Sequence, residues 1–122
     1  MMRASMVIPG RMPGFNDYAA AERANRYAAA EMKRRQTERA GVAAVEQGMP
    51  RFTEPVLITF TWVERDRRRD MDNVCFAKKF ILDGLVRAGV IEDDKPRYVA
   101  GLADRFGYDR LNPRIEVEVR DA

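Results

Sequence analysis

The stretch Val56-Leu-Ile-Thr-Phe-Thr-Trp-Val63, followed by Arg65-Asp-Arg-Arg-Arg-Asp-Met-Asp-Asn73 and a run to Ala88, decides how this chain folds. Residues 56–63 are dense in β-branched and aromatic side chains, which predicts a strand. Val56, Ile58, Phe60 and Trp62 fall on one face, and Leu57, Thr59, Thr61 and Val63 on the other, so both faces are expected to be covered. From Asn73 to Ala88 the period changes. Val74, Ala77, Ile81, Leu85 and Ala88 recur at helical spacing, and Gly89 closes the helix.

On the C-terminal side, Val90-Ile91 leads into Glu92-Asp-Asp94, and Arg97 to Tyr108 reads as a strand with a glycine interruption. Ile115, Val117 and Val119 alternate with Glu116, Glu118 and Arg120, the pattern of a half-exposed strand. On the N-terminal side, Met6-Val-Ile8 is a short strand closed by Pro9-Gly10 and Pro13-Gly14. Asn16 or Asp17 can cap a long Ala-rich helix from about Tyr18 to Gln47, with Gly41 as an earlier point of breakage. The order β–α–β–α–β–β predicts an α/β (α+β) fold, a small mixed sheet packed against two main helices. A chain of 122 residues is expected to form a single domain, 1–122.

Composition removes several chemistries. There is no histidine, so no imidazole base or histidine–metal ligand is available. One cysteine, Cys75, rules out an internal disulfide and a zinc site built on several thiolates. No apolar stretch approaches the ~20 residues of a membrane span, and the N-terminus lacks the apolar core of a signal peptide, so a cytoplasmic protein is expected. No small-molecule cofactor is expected, since no Gly-rich phosphate cradle is present. The net charge of +3 says little, but its distribution says more. Arg65, Arg67, Arg68 and Arg69 form one cluster; Lys33, Arg34, Arg35 and Arg39 form another, which alone reads as a solvated helix face.

Arginines attract phosphate, whereas carboxylates repel it unless a divalent cation lies between them. A run of arginines against Asp70 and Asp72 therefore suits metal-dependent chemistry on a nucleic-acid backbone. In an extended segment residues i and i+2 point to one side, so Asp70 and Asp72 can aim at one ion. The plainer alternative makes Asp72 the N-cap of the following helix and Asp70 a surface charge. Lys79 lies seven residues after Asp72, about 20° short of two turns, and shares its side with Asp83; Lys78 is rotated ~100° away. Lys79 could neutralise charge developing at phosphorus, or simply pair with Asp83. Asp93 and Asp94 suit a turn, yet they bring a further pair of acids to the same helix. Hard oxygen donors of this kind suit Mg²⁺, with Mn²⁺ as a substitute.

Asp70-Met-Asp-Asn73, Lys79-Phe-Ile-Leu-Asp83-Gly-Leu85 and Ala88-Gly-Val-Ile-Glu-Asp-Asp94 resemble the RusA family of Holliday junction resolvases, with a weaker echo in Pro13-Gly-Phe-Asn16. The resemblance implies metal-binding aspartates at Asp70, Asp72 and Asp94 and an essential lysine at Lys79, with Lys78 the lesser candidate. The gap from the aspartates to the lysine is about two turns here, against one in the best-known members. It further implies a homodimer that cuts four-way DNA junctions by paired Mg²⁺-dependent hydrolysis, in DNA recombination and repair. Arg65, Arg67, Arg68 and Arg69, with Lys33 and Arg34, would then position the DNA backbone. The alternatives are a metal-dependent nuclease of another type, using Asp93-Asp-Lys95, and a non-catalytic junction-binding protein of the same fold. A DxD-type transferase is more distant.

Overall fold

Every second residue of Val56–Glu64 is buried, and this strand, β2, organises the molecule. In the computed structural model, which describes residues 1–122, it stands third in a four-stranded sheet of order β1-β4-β2-β3. The strands are β1 (Arg3–Pro9), β2, β3 (Val99–Tyr108) and β4 (Arg114–Asp121). β4 is antiparallel to both β1 and β2, whereas β3 runs parallel to β2. The architecture is the mixed α/β arrangement that the pattern predicts.

A parallel pair needs a crossover. Here it consists of α3 (Met71–Cys75) and α4 (Lys78–Arg87), which carry the chain from the C-terminal end of β2 back to the N-terminal end of β3. The other two helices, α1 (Phe15–Ala24) and α2 (Arg26–Glu46), connect β1 to β2. The core joins Met6 and Ile8, Val56 to Trp62, and Ile115 to Val119 from the sheet to Ala40, Ala44, Phe80, Ile81 and Leu85 from α2 and α4. On the opposite face Leu57, Thr59 and Thr61 are only half-buried, and Val63 alone is buried. The expectation of a strand covered on both sides is corrected accordingly.

The helix boundaries differ from the pattern in two instructive ways. The long N-terminal helix starts at Phe15 and is interrupted at Asn25, whose extended backbone ends α1 and whose side chain accepts the Ala28 N–H at 2.8 Å to start α2. Gly41 does not break α2. It lies where α2 meets α4, and a Cβ on the facing Gly84 would fall 2.6 Å from Ala40 Cβ. Glycine is required there by close helix approach. The second helix also divides, with a tight turn at Phe76-Ala77 between α3 and α4 marked by the Ala77 N–H bonding Val74 O at 3.3 Å.

Two side chains anchor α2 to the sheet. Gln47 pairs with both backbone groups of Val7, donating to its O at 2.7 Å and accepting from its N–H at 2.9 Å, which closes part of the β1 edge. Arg39 donates to Arg11 O at 2.7 Å and to Pro9 O, strapping the turn after β1. Burial holds its guanidinium below the usual arginine range. No helix of the chain is long and apolar enough to cross a membrane.

Candidate active site

At the C-terminal end of β2 the chain must turn from strand into helix, and it does so around one buried carboxylate. Glu64 is 6% exposed and accepts from Arg69 Nε at 2.8 Å and Nη2 at 2.9 Å. Arg11 adds a contact at 3.5 Å, and Arg69 Nη1 also donates to Met12 O at 3.1 Å. A buried charge is tolerated only when paired and hydrogen-bonded, and this fork satisfies that condition. Arg69 is thus consumed inside the fold, which corrects its expected role against a DNA backbone. Arg65, Arg67 and Arg68 remain exposed on the same connection. Asp66 holds the loop by accepting the Arg68 N–H at 3.0 Å, and the Arg67 guanidinium lies 4.2 Å from the centre of the Tyr108 ring.

Asp70 and Asp72 follow directly. Asp70 is the extended residue before α3, and its side chain makes no capping bond. Asp72 lies inside the first turn, with its Oδ1 accepting the next N–H at 2.9 Å. The extended i, i+2 geometry expected from the sequence is therefore not the local conformation. Both side chains nevertheless line one cavity of about 510 Å³, together with Phe15, Asn16, Asn73, Cys75, Phe76 and Lys78. Neither takes part in an ion pair, in contrast to Glu64, Asp17 and Asp83 nearby.

The far wall is the Pro13-Gly-Phe-Asn16 segment, docked by Asn73. Asn73 Oδ1 accepts the Asn16 N–H at 2.9 Å, and a Cβ on Gly14 would fall 2.6 Å from both Asn73 oxygens. The Gly14 N–H in turn donates to Asp17 at 2.9 Å, starting α1. Phe15, Tyr18, Phe76 and Phe80 stack behind it, with centroids 5.4 to 6.2 Å apart. The two sequence motifs thus meet at one site, joined by an asparagine and an aromatic cluster.

The lysine in the cavity is Lys78, and Lys79 lies exposed outside it. An uninterrupted α-helix favours Lys79, but the tight turn at Phe76-Ala77 resets the phase. The i→i−3 bonds run on past the turn, from Lys79 N–H to Phe76 O at 3.3 Å and from Phe80 N–H to Ala77 O at 3.0 Å. A 3₁₀ geometry advances ~120° per residue, and over about four of the six steps from Asp72 it brings Lys78 within ~40° of two whole turns. Lys78 Nζ lies 2.5 Å from Asp104 Oδ2, and Trp62 Nε1 donates to Asp104 Oδ1 at 2.9 Å. Asp83, the alternative partner for Lys79, faces Lys33 at 3.9 Å instead. Arg34 lies in a fork between Glu31 and Glu38, and its hydrogen bond holds the Glu31 carboxyl below its usual range. Lys33 and Arg34 thus lie in intramolecular pairs on a solvated helix, and in the arginine loop Arg65 and Arg68 approach Asp66 at 3.7 and 3.8 Å.

Asp94 does not join the cavity. The β2–β3 crossover places it at the opposite end of the sheet, past α4, a helix of 10 residues or about 15 Å. There the Phe52 N–H bonds Val90 O at 2.8 Å, Arg51 pairs with Glu92, and Asp93 pairs with Lys95. The acids expected to converge from both ends of one helix are instead separated by it, and no three acidic or thiol side chains form a metal cage. Asp104 and Cys75 are the neighbours that the sequence reading missed. A charged residue between Leu102 and Phe106, on the helix-facing side of β3, is the only advance signal for Asp104.

The donors in the cavity are hard. Two carboxylates and two carboxamides line it, and burial, reinforced by Asp104, pushes the Cys75 thiol up, leaving it a poor ligand near neutral pH. Mg²⁺ is commonly held by one or two carboxylates, with waters and substrate phosphate completing the shell, so this set fits it. No protein-family profile matches the chain, and no curated protein is significantly similar to it.

Proposed function

We propose that this protein is a Mg²⁺-dependent, structure-specific endodeoxyribonuclease that resolves four-way DNA junctions as a homodimer, in the manner of the RusA family that its motifs resemble. One observation carries the reading: Asp70 and Asp72, both without cationic partners, share a cavity with Lys78 beside an exposed arginine loop. Acids left unpaired next to bases are what a metal–phosphate complex needs and what packing alone does not.

Asp70 and Asp72 would hold the ion. When bound, it neutralises the phosphodiester and makes water more acidic. The chain's own groups do the rest. Lys78 offers N–H donors to a non-bridging phosphate oxygen, where charge builds as the bond breaks. Arg65, Arg67 and Arg68 hold the flanking backbone without reading bases. Phe15 and Asn16 shape the cavity wall against which the sugar–phosphate strand lies. A junction with two equivalent strands suits a two-fold dimer that presents two such cavities.

The test is incubation of the purified protein with an end-labelled synthetic four-way junction, in Mg²⁺ and in EDTA. Paired symmetric nicks in Mg²⁺ only, lost in Asp72→Asn, are expected. Intact junctions under every condition would end the hydrolytic reading. The absence of a three-acid cage within one chain favours a second reading, a junction-binding protein without cleavage. It predicts a retarded but uncut junction in the same assay.

A further inference from the structure

Asp104 has no obvious reason to be where it is. It faces the helices from edge strand β3, in register with Phe60 and flanked on that face by Leu102 and Phe106. An apolar residue would continue the pattern, and a partly buried ion pair is on average no more stabilising than a well-packed apolar pair. Both of its oxygens are used. Oδ1 accepts from the indole of Trp62, itself 1% exposed and stacked on Phe60 at 5.6 Å, while Oδ2 binds Lys78 Nζ. The Lys78 and Asp104 side chains are each 24% exposed, and the ammonium lies 5.9 Å from the Phe60 ring centre. Asp104 does not itself line the cavity; Lys78 does.

We infer that Asp104 is a positioning residue: anchored to the core through Trp62, it fixes the ammonium of the cavity-lining Lys78 so that its remaining donors meet a phosphate oxygen. An ammonium carries three N–H donors. Asp104 takes one of them and leaves the others for the substrate. A free lysine would instead sample many rotamers, and immobilising such a side chain at the moment of binding costs conformational entropy. The inference deepens the proposed nuclease reading and rests on it for the identity of the phosphate. The anchoring itself rests on the three-residue chain alone.

Trp62 is the only tryptophan, so its fluorescence reports on this chain directly. The experiment is a double-mutant cycle of Asp104→Asn and Lys78→Ala, read two ways. Asn at 104 can still accept from the indole, and circular dichroism verifies that each variant folds. In junction cleavage with Mg²⁺, Lys78→Ala is expected to lower kcat by ~10²–10³-fold and Asp104→Asn by ~10-fold. The double variant is expected to be no slower than Lys78→Ala alone, because an aid to Lys78 has nothing left to aid. In the second readout, inorganic phosphate is titrated while Trp62 emission is followed. Wild type is expected to respond, and both single variants are expected to respond weakly or not at all.

Equal losses from Asp104→Asn in the presence and absence of Lys78 would overturn the inference while leaving the nuclease reading intact. No cleavage by wild type, combined with a phosphate response that requires Lys78 and Asp104, would overturn the nuclease reading and support the positioning role. Unchanged phosphate responses in both variants would overturn the positioning role outright.

Discussion

The two ends of the β2–β3 pair present acids to solvent in opposite ways. At the C-terminal end, Glu64 takes the available arginine fork, so Asp70 and Asp72 just after it stay without cations beside Lys78 and a cavity. At the N-terminal end, Glu92 pairs with Arg51 and Asp93 with Lys95 in an open turn. The motifs look alike in sequence, a run of acids at each end of one helix. What differs is that two of the three acids at the N-terminal end, Glu92 and Asp93, are committed to local cations, with Asp94 alone unpaired, whereas neither Asp70 nor Asp72 is paired. A carboxylate is free for a ligand where a deeper carboxylate has taken its natural partner.

The sharpest way to break this comparison is to disable both ends together. Because α4 stands between them, Asp72 and Asp94 cannot be two parts of one intrachain site. Asp72→Asn alone is expected to reduce junction cleavage by at least ~10²-fold, the scale of losing an essential electrostatic group. Mixing Asp72→Asn with Asp94→Asn subunits is then expected to retain cleavage. That holds whether Asp94 is dispensable or reaches the cavity from a second copy, since one wild-type combination survives in each mixed dimer. A mixture as dead as Asp72→Asn alone, measured after subunit exchange, would place both acids in one chain's site and sink the separation.

Stability sharpens the contrast next. Glu64→Ala leaves Arg69 buried without its fork and is expected to destabilise the fold by ~3–5 kcal/mol in urea unfolding. Glu92→Ala breaks a pair whose side chains are 55% and 56% exposed, and at most ~1 kcal/mol is expected. Equal losses would mean that the Glu64 fork is not a deep structural pair, and Arg69 would return to the candidate DNA contacts.

These two ends also show what could be read in the chain beforehand. The alternation in Val56–Glu64 and in Arg114–Asp121 was sufficient for the strands, because period-2 burial depends on local order alone, and the order of elements was sufficient for a mixed sheet. Asp70, Asp72 and Asn73 share a cavity although the backbone is helical from Met71, since the cavity is made by the turn and by Asn73 docking Gly14. That Lys78 and not Lys79 lines the cavity was out of reach of an ideal-helix periodicity argument, because a run of i→i−3 bonds from Ala77 to Phe80 shifts the phase of the helix. Asp94 failed for a topological reason: sequence proximity across a helix becomes distance when that helix is a crossover between parallel strands. Asp104 is a long-range partner, 26 residues from Lys78, and only the strand register reveals it.

A smaller effect concerns the arginine loop. Arg67 and Arg68 are exposed and belong to the cavity end, whereas Arg34 is held between Glu31 and Glu38 on α2. Arg67→Gln and Arg68→Gln are each expected to flatten the salt dependence of junction binding by a slope of about one, and Arg34→Gln to leave it unchanged. Fluorescence anisotropy across a salt series in EDTA measures this. A slope that falls equally for all three would show that charge on α2 contacts DNA after all.

The smallest expected change is also the most local. Cys75 is partly buried within reach of the charges of the Lys78–Asp104 pair, and its thiol is raised first by burial, then by Asp104, with Lys78 pulling it down. Asp104→Asn removes one of the raising causes, so the thiol should ionise at lower pH than in wild type. Lys78→Ala removes the larger of two lowering causes, so it should ionise at higher pH. The pH dependence of iodoacetamide alkylation, followed by mass spectrometry on folded protein, reads both directions, because only the thiolate reacts. The corresponding changes at the other end, Glu92→Gln and Asp93→Asn, are expected to leave the profile where it is. Shifts of the same sign in Asp104→Asn and Lys78→Ala would mean that the thiol senses loosened packing, and the cavity end would then lose its claim to a fixed arrangement of charge.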